Sequence, residues 1–220
     1  DCIRIGAAVT HQMLLDNPSI RDNLPALYQA VSVLGSPPIR HMGTIGGNIC
    51  TASPAGDTLP ALYVYHASLV LLSPTGVRTV RIEDFIQGPG KTILQNQEIL
   101  REIVIPMPDP DIHGCYIKVG QRNALAIAIV SMAMMLSYNN DRRITLIRAA
   151  FGSVGPKVMH FPDIDSSFEG EFLTQELLRT AGFKYSQNIQ PISDLRASAE
   201  YRHQLVEGLP VQIIQGEFRA

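Results

Sequence analysis

Between Ile39 and Asp57 the chain reads Ile-Arg-His-Met-Gly-Thr-Ile-Gly-Gly-Asn-Ile-Cys-Thr-Ala-Ser-Pro-Ala-Gly-Asp, the stretch whose residue types and spacing best suit chemistry. Gly46 and Gly47 are adjacent, so a backbone can approach a ligand there with no Cβ in the way, and positive φ is open to it. Consecutive exposed N–H groups in such a turn form a concavity suited to phosphate oxygens. Thr44, Asn48, Thr51 and Ser53 add uncharged donors. Asp57 stands where it can cap a helix over Leu59 to Val64. Together these residues point to a phosphate-bearing ligand; they equally make an ordinary turn followed by a capped helix. The segment is neither a Walker loop nor a G-x-G-x-x-G fingerprint, which argues against P-loop and Rossmann readings.

Other reactive residues are sparse. The six histidines show no i, i+4 pairing, so a zinc-protease reading has little support. Cys2, Cys50 and Cys115 form no C-x-x-C pair, which removes an iron–sulfur framework and leaves them as small apolar fillers in a reducing compartment. With 18 basic and 20 acidic side chains and no long charge run, nothing suggests a nucleic-acid partner or an electrostatic membrane anchor. The most apolar stretch, Ala124 to Leu136, is too short to span a bilayer, which takes about 20 residues. The start carries no signal-peptide pattern and reads as a strand already in progress, so the cytoplasm is the expected location.

The elements that position the glycine segment are legible from periodicity. A strand is expected over Ile3 to Ala7, a short helix capped by Thr10 runs through Leu15, and a second helix covers Leu24 to Leu34. In that helix Leu24, Leu27, Val31 and Leu34 form one stripe, with Asn23 and Gly35 as start and stop. Ser36-Pro37-Pro38 predicts an extended approach to Ile39. Leu69–Leu72 and Val77–Ile82 pair around Ser73-Pro74-Thr75-Gly76 as a hairpin, and Ile99 to Ile105 alternates as a further strand. Met107 to Asp111 is the clearest linker. Beyond it come strands over Tyr116–Arg122, Ile127–Tyr138 and Ile144–Ser153, the last two joined by a turn at Asn139–Arg143. Thr174 caps a helix through Phe183, and Ser198 caps one through Glu207 that Gly208 ends. The reading is α+β in two lobes, residues 1–108 and 112–220.

The pattern as a whole resembles the FAD-binding, or medium, subunit of the molybdenum hydroxylases, the family of xanthine dehydrogenase and aerobic carbon monoxide dehydrogenase. The matching signature is Ile-Arg-x-x-x-Thr-Ile-Gly-Gly-Asn-Ile followed by Ala-Ser-Pro-x-x-Asp, from Ile39 to Asp57. Further blocks agree in family order: Ile5-Gly6-Ala7 with Thr10-His11; Gly88-Pro89-Gly90-Lys91-Thr92 and Glu98-Ile99-Leu100; Lys118-Val119-Gly120-Gln121-Arg122 with Ala126-Ile127-Ala128; and Ser193 to Ser198 with Tyr201-Arg202.

The resemblance implies the second lobe of a vanillyl-alcohol-oxidase-type FAD domain followed by a smaller α+β C-terminal domain. It implies that Thr44, Ile45, Gly46, Gly47 and Asn48 contact the diphosphate region of FAD, that Asp57 also touches the cofactor, and that Ile99, Leu100 and Lys118 lie at the flavin. From their surroundings alone, Asp57 would be a helix cap, Leu100 core and Lys118 a solvated strand residue. The family's first lobe carries another glycine-rich loop, of Ala-Gly-Gly-Thr type, and these 220 residues contain none, so the flavin site is expected to be incomplete here. The partners implied are a molybdopterin-binding large subunit and a small subunit with two [2Fe-2S] clusters, with NAD or another acceptor taking electrons from FAD. Two competing readings are a docking subunit that has lost its flavin and a free-standing flavin oxidase.

Overall fold

The structure, a computed structural model, describes residues 1–122 and 125–215. The first half runs β1 (Cys2–Gly6), α1 (His11–Leu15), α2 (Pro18–Asn23), α3 (Pro25–Ser32), α4 (Pro37–Met42), α5 (Ile45–Thr51), α6 (Thr58–Val64), β2 (Ser68–Ser73), β3 (Gly76–Arg81), α7 (Ile82–Phe85), β4 (Ile86–Gly88), β5 (Lys91–Thr92) and β6 (Ile99–Pro106). The second runs β7 (His113–Val119), β8 (Val130–Tyr138), β9 (Ile144–Gly152), β10 (Met159–His160), α8 (Pro162–Ser166), α9 (Gln175–Ser186) and α10 (Ala199–Gln215). The fold is α+β: two four-stranded antiparallel sheets, ordered β1-β6-β2-β3 and β10-β9-β8-β7, with helices grouped between and outside them.

The apolar run before Leu136 has a physical reason. Ala133 and Met135 of β8 enter one hydrophobic core, while Val130, Met132, Met134 and Leu136 enter the other. A strand buried on both faces has no polar alternation to show, even in an antiparallel sheet. On one face of this sheet, α3 packs against β7 and α6 against β8 and β9. The core of the first half therefore continues across the linker through Tyr116, Ala133, Met135 and Ala150.

Most of the local signals act as expected. The side chain of Thr10 accepts from Met13 N, and that of Thr174 from Leu177 N. Ser198 Oγ accepts from Tyr201 N. Leu24, Leu27, Val31 and Leu34 are all buried.

Other expectations need correction. Asn23 does not open α3; its amide reaches back to Ser19 and closes α2, and Pro25 starts the next helix. Ser36 is extended, but Pro37 and Pro38 form the first turn of α4, where a missing N–H loses no intrahelical bond. The strand expected from Ile127 begins at Val130. Gly208 does not end α10, which continues with Pro210 inside it. Val206, Leu209, Val211 and Ile213 are buried there, and each such side chain contributes about 1.5–3 kcal/mol, enough to offset the roughly 3 kcal/mol of an internal proline. Cys2 is exposed, so only Cys50 and Cys115, both partly buried, fit the filler reading.

Candidate functional site

The paired glycines are helical, and no turn forms at them. Thr44 is the N-cap of α5: its Oγ1 accepts from Gly47 N at 3.0 Å and its carbonyl from Asn48 N at 3.0 Å. Ile45 N donates to Val9 O and Gly46 N to Ala7 O, each at 3.0 Å. The amides expected to form an open anion concavity are therefore already paired within the protein. Gly46 is required by close approach: a Cβ there would lie 2.6 Å from Ala7 Cβ and 2.7 Å from Ala7 O. Ala7 N in turn donates to Arg101 O, which ties α5 to the start of β6 beside Ile99 and Leu100.

What α5 offers outward is a stripe. Ile45, Gly46 and Ile49 face the core, while Thr44, Gly47, Asn48 and Thr51 remain wholly or partly accessible, the i, i+3, i+4, i+7 spacing of one helix face. That face is polar and uncharged, and Gly47 leaves a gap in it. The stripe connects directly to the next helix, because Thr58 Oγ1 donates to Asn48 Oδ1 at 2.7 Å.

Asp57 precedes Thr58 but does not cap α6 with its side chain. Its carboxylate turns to the second half of the protein, accepting from Tyr116 Oη at 3.0 Å and from Lys118 Nζ at 2.8 Å. Tyr116 and Lys118 are two apart on β7 and so share a face. The Asp57 and Lys118 side chains are 11% and 9% exposed, which makes this a buried ion pair rather than a cap and a solvated lysine. Burial pushes the Asp57 carboxyl above its usual value, and Lys118 and Tyr116 pull it back. Burial and the nearby Asp57 raise the Tyr116 phenol, so it stays a neutral donor. Lys118 Nζ also reaches Val33 O at 3.5 Å. A cleft of about 460 Å³, lined by Val33, Tyr116, Lys118, Gly120, Arg122 and Ala126, opens beside the pair.

The structure thus brings Thr44, Gly47, Asn48, Asp57 and Lys118 into one connected set. Ile45 and Gly46 stand behind it as packing. Leu100 is buried in the core opposite Leu71, whereas Ile99 is 59% exposed at the start of β6. Sequence reasoning missed Tyr116 and Thr58. Tyr116 was detectable from its i, i+2 spacing to Lys118; Thr58, next to a presumed cap, gave no signal.

Residues 1–108 match the family described as the FAD binding domain in molybdopterin dehydrogenase, and residues 115–216 match the CO dehydrogenase flavoprotein C-terminal domain. The chain is 32% identical over 210 residues to the nicotinate dehydrogenase FAD-subunit of Eubacterium barkeri, covering 94% of this chain and 71% of that protein. This chain belongs to the FAD-binding subunits of the molybdenum hydroxylases. Among other members of that family, the xanthine dehydrogenase FAD-binding subunit of Escherichia coli O157:H7 is 32% identical over 214 residues, with 96% and 73% covered. The solved Cu,Mo-CO dehydrogenase superposes with a TM-score of 0.92 at 25% identity, over 97% of this chain and 74% of that one. The chain therefore spans about three quarters of the length of these medium subunits. Among the described residues no helix is long and apolar enough to cross a membrane, and no group of three or more His, Cys, Asp or Glu could hold a metal ion.

Proposed function

We propose that this chain binds FAD at the α5 stripe and the Asp57–Lys118 pair, and serves as the electron-transfer subunit of a molybdenum hydroxylase. In this reading electrons arrive from iron–sulfur clusters on a small partner subunit, a molybdopterin-binding large subunit carries the hydroxylation, and NAD or another acceptor takes the electrons away. Residues 1–108 would act as the second lobe of the FAD-binding domain and 112–220 as the C-terminal domain. The observation that carries the reading is the buried Asp57–Lys118 pair, one residue from the Thr58–Asn48 link to the α5 face.

Bound FAD would supply reversible two-electron redox chemistry, and the protein supplies binding and orientation. The Thr44 hydroxyl and the Asn48 Nδ2 group are left to donate to phosphate oxygens, the Thr51 hydroxyl already donating to Gly47 O, and Gly47 leaves the helix surface open for close approach. Two of the three Lys118 ammonium protons serve Asp57 and Val33, which leaves one for a ligand in the cleft. Asp57 fixes where that charge sits. Ile45 and Gly46 act indirectly, by seating α5 on Ala7. Ile99, exposed at the start of β6, supplies an apolar wall, and Leu100 packs into the core behind it.

One observation favours the flavin-free docking subunit as a second reading: the first-turn amides of α5 are consumed internally, so the stripe alone makes a weak phosphate site. Flavin content of the intact complex, measured by absorbance after denaturation, separates the two. The proposal expects stoichiometric flavin in the parent complex and a loss of about tenfold or more in flavin affinity for Asn48→Leu, since a charge-assisted hydrogen bond contributes about 1.5–3 kcal/mol. An assembled complex devoid of flavin would establish the docking reading instead.

A further inference from the structure

At the far end of α6 from Asp57, about 10 Å along a helix of seven residues, lies a second cleft that none of the residues of the proposed flavin site lines. It has a volume of about 240 Å³ and is walled by the end of α6, the middle of β9, His160 of β10 and the α8 segment. Typical organic-ligand pockets run from roughly 300 Å³ upward, so this one suits a single ring or a short chain.

Its polar groups are set in one direction. The Arg148 guanidinium has five N–H donors but, among the described residues, makes one hydrogen bond, a long one of 3.4 Å to Val64 O at the end of α6. Four donors on a partly buried, permanently charged group are left for a ligand. His66 follows α6 with φ +51°, a left-handed conformation that non-glycine residues rarely hold. Its Nδ1 lies 3.2 Å from Arg81 Nη2. Arginine only donates, so Nδ1 must be the acceptor and the imidazole proton sits on Nε2. Burial and the nearby Arg148 and Arg81 charges hold the His66 pKa down to about 4, so that tautomer persists at neutral pH. Tyr63, 2% exposed and also lining the cleft, has a buried hydroxyl with no hydrogen-bond partner among the described residues. Its ring packs edge-on with that of His160, the ring centroids 5.4 Å apart.

The cleft also has an acidic side. Asp165 and Glu169 line it, Asp165 already accepting from Tyr185 Oη at 2.5 Å. One cation facing two carboxyl groups cannot balance a dianion, but its planar fork matches the two oxygens of a single carboxylate. We propose that this cleft binds a small monocarboxylate, held by the guanidinium of Arg148 and the Nε2–H of His66, with its body against the wall that Tyr63 and His160 form together.

The site is independent of the flavin reading. Benzoate is a suitable probe, with inorganic phosphate as the contrasting anion, both titrated calorimetrically into the intact complex. Saturable benzoate binding is expected, with phosphate weaker. His66→Asn tolerates the left-handed backbone and removes the Nε2–H, and Arg148→Lys keeps the charge and removes the fork; each should weaken benzoate about tenfold. Glu169→Gln, at an exposed position that does not threaten folding, should tighten it severalfold. No saturable benzoate binding, phosphate binding more tightly than benzoate, or affinities unchanged across the three variants would overturn the assignment.

Discussion

A carboxylate and an ammonium taken out of water together are stable only as a pair, and Asp57 and Lys118 meet that condition at 2.8 Å with Tyr116 as a third partner. Removing one member should therefore cost more than removing both. Lys118→Met keeps the side-chain length but strands Asp57, a loss of about 3–5 kcal/mol. Asp57 can relieve this by holding a proton. Its folded pKa, already above the unfolded value, then rises further, so the variant's stability should be best preserved in acid and decline as pH rises through that folded pKa. Denaturant midpoints of Lys118→Met at pH 5 and pH 8 should show the larger deficit at pH 8, and adding Asp57→Asn should recover much of it. Equal deficits at both pH values would mean that the pair is solvated. The sequence named both residues through a family pattern, but their own surroundings suggested a cap and a surface lysine. What could not be read was that the chain between them closes the two halves face to face, because a contact spanning 61 positions leaves no local mark.

Helix starts and hairpins were legible because their signals are local, as with Thr10, Thr174 and the Ser73–Gly76 turn. Even the missed helices α2 and α4 carried the right sign: Asn17-Pro18 and Ser36-Pro37 each place a capping residue before a proline at the first helical position. Glycine is where local reading failed, since the residue type does not say whether conformation or space is being served. Gly46 serves space, against Ala7. Gly182 in α9 does so more severely, because a Cβ there would overlap the Glu207 carbonyl of α10. Gly208, one residue further along α10, sits in mid-helix, and a Cβ added there would meet nothing within 4 Å among the described residues. Two alanine substitutions on neighbouring elements should thus move stability in opposite directions. Gly182→Ala forces the helices apart at about 3 kcal/mol, at the upper end for overpacking, and Gly208→Ala gains about 0.5–1 kcal/mol from helix propensity. Thermal unfolding of the two variants side by side checks this, and a tolerated Gly182→Ala would mean that α9 and α10 are not so closely apposed.

At the scale of the whole molecule, the second core is assembled around one acid. Asp165 on α8 accepts from Tyr185 Oη of α9 and, at 3.4 Å, from Ala149 N of β9, so a single carboxyl group links three elements. Burial pushes its pKa up to about 7, opposed by those hydrogen bonds and by Arg148, with Glu169 adding to the rise. A carboxyl raised on folding stabilises the protein most below its unfolded value, and that contribution is lost as pH climbs through about 7. The full span from 3.8 to about 7 corresponds to about 4 kcal/mol. His66 works against it over part of the same range: held down to about 4, it adds stability as pH rises from 4 toward 6.5. The parent's own pH profile would blur the two contributions, but subtraction separates them. Asp165→Asn cannot ionise, keeps an oxygen for Tyr185 and leaves His66 as it was. The stability of the variant relative to the parent, measured by urea unfolding at intervals from pH 4 to pH 8, should therefore rise steadily toward pH 7 and then level off. The histidine contribution cancels in that difference, so a flat line would show that Asp165 is ionised throughout and that the Tyr185 and Ala149 bonds outweigh its burial.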